Sequence, residues 1–245
     1  MKYFLIRIKN YIFRHIEELK QKHKMYEFYK KIMCADTVSF DIGANVGNRT
    51  DIFRKISSKV VAIEPQRECF EILCKKYQNN DSIILVNKAL GIEDGEAEIM
   101  IGAANTLSSI SKEWIKSVKL SGRFENVEWG NGYMVPVTTF DKLIELHGLP
   151  DFCKIDVEGF EFEVLKGLSK KIRLISFEFT PEMIGSTMAC IDHLSSIGNY
   201  AYNYSLGESM EFKQEKYISD LEIKKILLSF EGSVIFGDVY AKLIL

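Results

Sequence analysis

Short apolar runs alternate with segments of helical periodicity along most of this chain. The apolar runs predict strands at 38–42, 60–63, 83–86, 133–137, 152–157 and 174–179. Residues 48–56, 67–77, 160–168 and 186–197 have the spacing of helices. Because strands that alternate with helices favour βαβ units, the pattern predicts an α/β fold with a mainly parallel sheet.

The alternation breaks in the middle of the chain. Asp94-Gly95 is a hairpin turn signal ahead of an apolar run at 97–101. The polar segment 102–131 is predicted to be a long irregular loop, which in compact domains is typical of a functional lid. Thr138 or Thr139 is expected to cap a helix through His147, and the runs 200–204 and 239–245 are predicted to pair as closing strands.

Residues 2–33 form one long helical pattern without Gly or Pro. Phe4, Ile8, Ile12, Ile16 and Leu19 recur at intervals of three or four residues, among many lysines and arginines. Two interpretations are open: a helix packed on the domain with its basic face in water, which charge runs usually favour, or an arm that contacts a membrane surface weakly or gathers substrate. We therefore divide the chain into a helical extension at 1–35 and one domain at 36–245.

Composition narrows the class of protein. The chain has 245 residues, 47% of them hydrophobic and 27% charged, which is typical of one globular domain. The net charge of −2 gives no general attraction to nucleic acid. Five cysteines without a C-x-x-C pair indicate reduced thiols. Basic residues interrupt the first apolar segment, so neither a signal peptide nor an integral membrane segment is predicted and a cytoplasmic location is expected.

A glycine-containing loop follows the first predicted strand. The segment 40–47 (FDIGANVG) lies between that strand and its helix, where open α/β sheets bind ligands. Gly43 and Gly47 allow a tight turn and close approach of a ligand, and a branched side chain at Gly43 is expected to block the ligand while leaving the fold largely intact. Asn45 stands where a dinucleotide fingerprint has its middle glycine, and Asp41 at the strand end suits a cationic ligand.

Polar residues also end the second and third predicted strands. Glu64 lies about 20 residues beyond the loop, where a carboxylate that accepts hydrogen bonds from ribose hydroxyls belongs. Asn87 ends the third strand, where its amide could contact an adenine edge or simply hold a turn. We predict that both residues bind a nucleoside cofactor.

Three segments together resemble the FkbM family of methyltransferases. They are DIGANVG at 41–47, AIEP at 62–65 and KIDVEGFE at 154–161, while TTFD at 138–141 and SFE at 176–178 resemble the family's intervening segments. The similarity runs from about residue 38 to about residue 181. The segment at 154–159 is the most specific of the motifs.

This resemblance implies a Rossmann-like, seven-stranded, mainly parallel sheet of the class I methyltransferase type. It implies S-adenosyl-L-methionine as methyl donor and O-methylation of a glycan, sugar or small metabolite. The loop residues Asp41, Gly43, Asn45 and Gly47 would hold the methionine part and Glu64 the ribose. The helical extension and the chain beyond about residue 181 lie outside the similarity, so the acceptor is not implied.

Carboxylates concentrate around the predicted tip of the fourth parallel strand. Lys154, Asp156 and Glu158 would share one face of an extended segment, next to the first strand at the switch point. Asp156 is the preferred candidate both for contact with the cofactor and for the base that takes the acceptor's proton, with Glu158 and Glu178 as further catalytic candidates. Lys154 and Glu158 could instead form a structural pair. The carboxylates could hold a divalent cation, but no ligand spacing demands one and no metal is predicted.

Other functions remain open at this point. An NAD-dependent oxidoreductase would share the general fold, although the glycine spacing disfavours it. A catalytically inactive binding module is disfavoured by the intact Asp41, Glu64 and Asp156. A nucleic-acid methyltransferase is disfavoured by the slightly acidic balance.

Overall fold

A computed structural model describes residues 2–103, 107–124 and 127–244, with side chains from Phe13 onward except Arg14. Helices are α1 Lys2–Ile32, α2 Thr50–Phe53, α3 Arg67–Tyr77, α4 Lys112–Leu120, α5 Phe140–His147, α6 Glu161–Lys166, α7 Ile184–Ile197 and α8 Asp220–Leu228. Strands are β1 Val38–Ile42, β2 Lys59–Ile63, β3 Ile83–Val86, β4 Ala89–Leu90, β5 Gly95–Ile99, β6 Tyr133–Thr138, β7 Phe152–Ile155, β8 Leu174–Phe179, β9 Tyr200–Leu206 and β10 Gly237–Leu243.

A large sheet of seven strands organises the chain. Its order is β3-β2-β1-β7-β8-β10-β9. All neighbouring pairs are parallel except those of β10, which runs antiparallel to β8 and to β9. The predicted α/β class, mainly parallel sheet and closing strand pair are confirmed. The order of the strands reverses between β1 and β7, which creates the crevice where such sheets bind ligands.

Helices cover both faces of this sheet, so its central strands are apolar on both sides. One core cluster contains Phe40, Ile155 and Phe177 with residues of α5, α6 and α7. The opposite cluster contains Val60, Phe152 and residues of α1. The continuous apolar runs that identified these strands in the sequence are therefore a consequence of burial on two faces.

Several predictions about the middle of the chain are wrong. Asp94-Gly95 does not close a hairpin, because β4 and β5 both pair with β6 in a second sheet of order β4-β6-β5. The predicted loop at 102–131 contains α4, with Ser111 as its N-cap and Trp114 buried against Phe124 and Trp129. Residues 104–106 and 125–126 of that loop lie outside the described residues.

The described side chains along α1 have different surroundings. Met25, Phe28, Tyr29 and Met33 are buried in the second core cluster, so the last part of the predicted helical extension packs as part of the domain. Phe13 is 64% exposed on the same helix. Among the described residues, no helix has both the length and the apolar character needed to cross a membrane.

The packing of α1 gives a first prediction. Phe28 has its ring centroid 5.1 Å from that of Phe212 and 5.5 Å from that of Tyr240. Phe28→Ala should lower the free energy of unfolding by about 3–5 kcal/mol because it leaves a cavity in the core. Phe13→Ala is the control and should change it by less than about 0.5 kcal/mol. Equal effects in chemical denaturation would show that α1 does not belong to the domain core.

Candidate active site

A cavity of about 280 Å³ opens at the carboxyl ends of β1, β2 and β7. Its volume is near the lower end of the range for small-molecule sites. The residues that line it include Asp41, Gly43, Asn45, Arg49, Glu64, Lys88, Asp156, Glu158, Glu178 and Glu208. The switch point of the sheet therefore brings together most of the residues singled out in the sequence.

Gly43 is needed because the backbone packs closely here, and not because a ligand needs the space. Its φ is +83°, and a Cβ built there would lie 1.8 Å from the carbonyl oxygen of Asp156. A larger side chain would push β1 away from the loop after β7. The expectation that a branched residue at Gly43 leaves the fold intact is therefore wrong, because the obstacle is backbone.

Gly47 packs against α3 and does not face the cavity. With φ of +82°, a Cβ there would meet the Tyr77 hydroxyl at 2.5 Å and Leu73 at 2.9 Å on α3. Tyr77 also donates a hydrogen bond to the Gly47 carbonyl oxygen, at 3.0 Å. This glycine lets the loop pack against α3, and Gly47 is not among the cavity-lining residues.

Glu64 follows β2 and is buried with both carboxylate oxygens engaged. The backbone N–H of Asn45 donates to Oε2 at 2.7 Å and that of Gln66 donates to Oε1 at 2.8 Å. Burial raises the pKa of Glu64 to about 7 in spite of these two hydrogen bonds and a third from the Gln66 side chain. The carboxylate can still accept a hydrogen bond from a ligand hydroxyl.

Asp41 and Asn87 make side-chain contacts that hold the site together. Asp41 is buried and accepts a short hydrogen bond from the Thr50 hydroxyl, and burial raises its pKa. Asn87 donates through Nδ2 to the carbonyl oxygens of Glu64 at 2.8 Å and Pro65 at 3.3 Å. Lys88, rather than Asn87, lines the cavity. The amide nitrogen of Asn87 thus holds the turn after β2.

Asp156 accepts two cationic partners. Lys154 Nζ and Arg49 Nη1 each lie 3.3 Å from Asp156 Oδ2. Burial alone would raise the pKa of Asp156, but the charges of Lys154 and Arg49 and a hydrogen bond from Lys154 hold it below its usual value. Lys154 is itself fully buried and pairs with Asp238 Oδ1 at 2.7 Å. The predicted pairing of Lys154 with Glu158 is replaced by pairs with Asp156 and Asp238.

The pKa values of Glu158 and Glu178 are shifted in the opposite direction from that of Asp156. The strand β7 ends at Ile155 and Glu158 has a φ of +52°, so the predicted extended face of 154–158 does not form. Burial, together with the nearby charge of Asp156, raises the pKa of both glutamates well above the usual value. One carboxylate oxygen each from Asp156, Glu158 and Glu178 lies within 4.8 Å of the others. This arrangement can share a proton, and its oxygen ligands are also of the kind that hold a divalent cation.

Glu161 at the start of α6 fixes the loop that carries these groups. Its Oε1 accepts hydrogen bonds from the backbone N–H groups of Val157 and Gly159, each at 3.2 Å. Burial raises its pKa to about 7. The position of Glu158 beside Asp156 thus depends on a buried carboxyl one turn further along the chain.

A family model, the methyltransferase FkbM domain, matches residues 41–204, about two thirds of the chain. This chain belongs to the FkbM methyltransferase family. The match covers the glycine loop, β2 and the carboxylate loop, which are the FkbM segments recognised in the sequence. The family assignment made from those motifs is confirmed.

Two similar proteins give the extent of the similarity. Hexuronic acid methyltransferase AglP from Haloferax volcanii is 29% identical over 148 residues, which cover 58% of this chain and 54% of AglP. A solved structure of methyltransferase FkbM from Methylobacillus flagellatus KT superposes with a TM-score of 0.52 at 14% identity, over 85% of this chain and 44% of the other. This chain therefore spans about half the length of these relatives, and the superposition supports the fold alone.

Three charged residues of this FkbM site were not singled out in the sequence. Arg49 connects Asp156 to Glu208, with Nη2 at 3.2 Å from Glu208 Oε1, and Asp238 on β10 pairs with Lys154. Glu208 and Asp238 lie far along the chain from their partners, so no local pattern indicates these contacts. A cationic residue just after the glycine loop of a site rich in carboxylates is the signal that could have identified Arg49.

The contact at Gly43 gives a second prediction. Gly43→Ala and Gly122→Ala both put a side chain at positive φ, but no atom lies within 4 Å of a Cβ at Gly122. Gly122→Ala should cost about 1–2 kcal/mol of stability from backbone strain alone. Gly43→Ala should cost about 2 kcal/mol more, because β1 and the loop after β7 must separate. The account of Gly43 is wrong if the two variants lose equal stability in urea unfolding.

Proposed function

We propose that this protein is an S-adenosylmethionine-dependent O-methyltransferase that acts on a hydroxyl of a sugar, glycan or related small metabolite. The observation that carries the proposal is the single cavity in which Glu64 and the cluster of Asp156, Glu158 and Glu178 lie on two sides of the switch point. A nucleoside donor and a hydroxyl acceptor can meet there.

The residues present fit the donor. Glu64 is buried at the end of β2 with its carboxylate bordering the cavity, which suits recognition of two adjacent ribose hydroxyls. Asp41 and Asp156 place negative charge near the glycine loop, which suits the cationic methionine part. Val157 and Phe160 add an apolar wall.

S-Adenosylmethionine bound here would supply an electrophilic methyl group for an acceptor hydroxyl, and that hydroxyl would have to lose its proton. The chain must provide a group that accepts that proton. Asp156 is weakly basic because two cations hold it as the anion, so it suits charge stabilisation and positioning. Glu158 and Glu178 have raised pKa values, and we assign proton transfer to this pair.

The acceptor class rests on the lining and on the named relative. AglP is a hexuronic acid methyltransferase by name, and the cavity here combines the cations Arg49 and Lys88 with the carboxylates Glu178 and Glu208. Such a mixture of donors and acceptors can bind several hydroxyls at once. A sugar acceptor, including a sugar acid, is consistent with it.

An oxidoreductase is the weaker alternative. A pyrophosphate would need free backbone N–H groups at the loop, but the N–H of Asn45 is bonded to Glu64. Binding of S-adenosylmethionine and of NADH, measured side by side by calorimetry, separates the two functions. Binding of NADH alone would refute the proposal.

The pKa of Glu64 gives a third prediction. Its ionised form accepts ribose hydrogen bonds, and protonation removes that acceptor as the pH falls through about 7. Affinity for S-adenosylmethionine should therefore be full above that pH and should weaken toward tenfold per unit below it. Glu64→Gln should bind about 10–100-fold more weakly, in line with the loss of a hydrogen bond to a charged group, and without this pH dependence. An unchanged pH profile in the variant would remove Glu64 from the ribose site.

The divided roles of the carboxylates give a fourth prediction. Glu158→Gln or Glu178→Gln, whichever removes the base, should lower the single-turnover rate of methyl transfer by roughly 10²–10⁴ with little change in S-adenosylmethionine affinity. The pH dependence of that rate should be lost in the same variant. Asp156→Asn should weaken binding of the methyl donor or of the acceptor as well as turnover, because it removes the anion that Lys154 and Arg49 contact. If only Asp156→Asn abolishes the pH-dependent step, Asp156 is the base.

A chelator tests whether the oxygens of Asp156, Glu158 and Glu178 bind a divalent cation instead. Activity that survives EDTA supports proton transfer by the glutamates themselves. If activity is lost with EDTA and returns with magnesium, the three carboxylates hold a cation and the assignment of the base is wrong.

A further inference from the structure

The described side chains of α1 before Gln21, Phe13 and residues 15–20, are exposed. Each side chain from His15 to Lys20 is exposed, and the ion pair of Lys20 with Glu17 lies within the helix. Further along, Gln21 donates to the Glu208 carbonyl oxygen at 2.9 Å, and Lys24 pairs with Glu211 at 2.9 Å. These contacts attach α1 to the loop after β9.

Large apolar side chains point into solvent along this exposed part. Phe13 is 64%, Ile16 44% and Leu19 54% exposed. Since a helix turns about 100° per residue, Leu19 and the buried Phe28, nine positions apart, lie on opposite sides of α1. Ile16 lies about 120° from Phe28 by the same geometry, whereas Phe13 lies about 60° from it. Ile16 and Leu19, but not Phe13, are therefore turned away from Phe28.

The same segment carries a net positive charge. Residues 2–20 contain five Lys or Arg against the two acidic residues Glu17 and Glu18, and their first part, 2–16, contains no acidic residue, whereas the whole chain has a net charge of −2. They also contain four aromatic residues, Tyr3, Phe4, Tyr11 and Phe13. Basic and aromatic residues on a helix with an exposed apolar face are the composition of helices that lie in the interface of anionic membranes.

We propose that residues 2–20 of α1 bind peripherally to an anionic lipid surface. Charge complementarity favours lipid over a second copy of this chain, because two copies of the segment 2–16 would bring like charges together. The loop fastened to α1 by Gln21 and Lys24 carries Glu208, which lines the cavity. Membrane binding would hold this edge of the cavity near the lipid surface.

Vesicle co-sedimentation tests this proposal with the full chain. The protein should bind vesicles of phosphatidylcholine mixed with phosphatidylglycerol, bind vesicles of phosphatidylcholine alone much more weakly, and dissociate as salt is raised. The double variant Ile16→Ser/Leu19→Ser should lower the binding to the mixed vesicles by about tenfold or more. Its thermal unfolding should match that of the native chain, because both side chains are exposed.

A matched control removes two other exposed leucines. Leu146 on α5 is 73% and Leu221 on α8 is 75% exposed, and both helices pack in the core cluster opposite to that of α1. Leu146→Ser/Leu221→Ser should therefore bind vesicles like the native chain. Equal loss in both double variants overturns the proposal, as does a native chain that fails to bind the mixed vesicles. A dimer seen by light scattering that is lost in Ile16→Ser/Leu19→Ser, without vesicle binding, would assign the face to a second copy instead.

Discussion

The buried ion pairs around Asp156 are the constraint on which the rest of the site depends. Lys154 is fully buried between Asp156 and Asp238, and Arg49 contacts Asp156 from the start of α2. Removing a buried charge from water costs several kcal/mol, so each of these groups is stable only while its partners stay in place. The network therefore fixes the relative positions of β7, β10 and the loop after β1.

The distribution of protons in the site follows from that network. Two cations keep Asp156 ionised, while burial, together with the negative charge of Asp156, raises the pKa of Glu158 and Glu178. Three neighbouring carboxyl groups thus differ in their chemistry because their partners differ. Asp156 stays an anion, while Glu158 and Glu178 can carry a proton. Glu64 does not belong to this cluster. It is held by the N–H groups of Asn45 and Gln66 at the end of β2, where we place the methyl donor.

The sequence predicted most of the fold because β1 and β8 carry apolar runs that burial on two faces imposes, while α3 carries the periodicity of a helix buried on one face. It missed α4, in which Trp114 and Val118 are buried one turn apart after the cap Ser111, because the surrounding segment is polar. The motifs identified Asp41, Glu64 and the carboxylates, since strand ends meet at one edge of a parallel sheet. They could not identify the partners Glu208 and Asp238, or the clash that makes Gly43 necessary, because these are contacts between distant segments.

The most direct test of this account is a titration of the site carboxyls by carbon-13 NMR in the free protein. The network predicts that Asp156 stays ionised to a pH below the ordinary range of aspartate, while Glu158 and Glu178 keep a proton to a pH above the ordinary range of glutamate. Protonation of Asp156 at neutral pH, with both glutamates ionised, would contradict it.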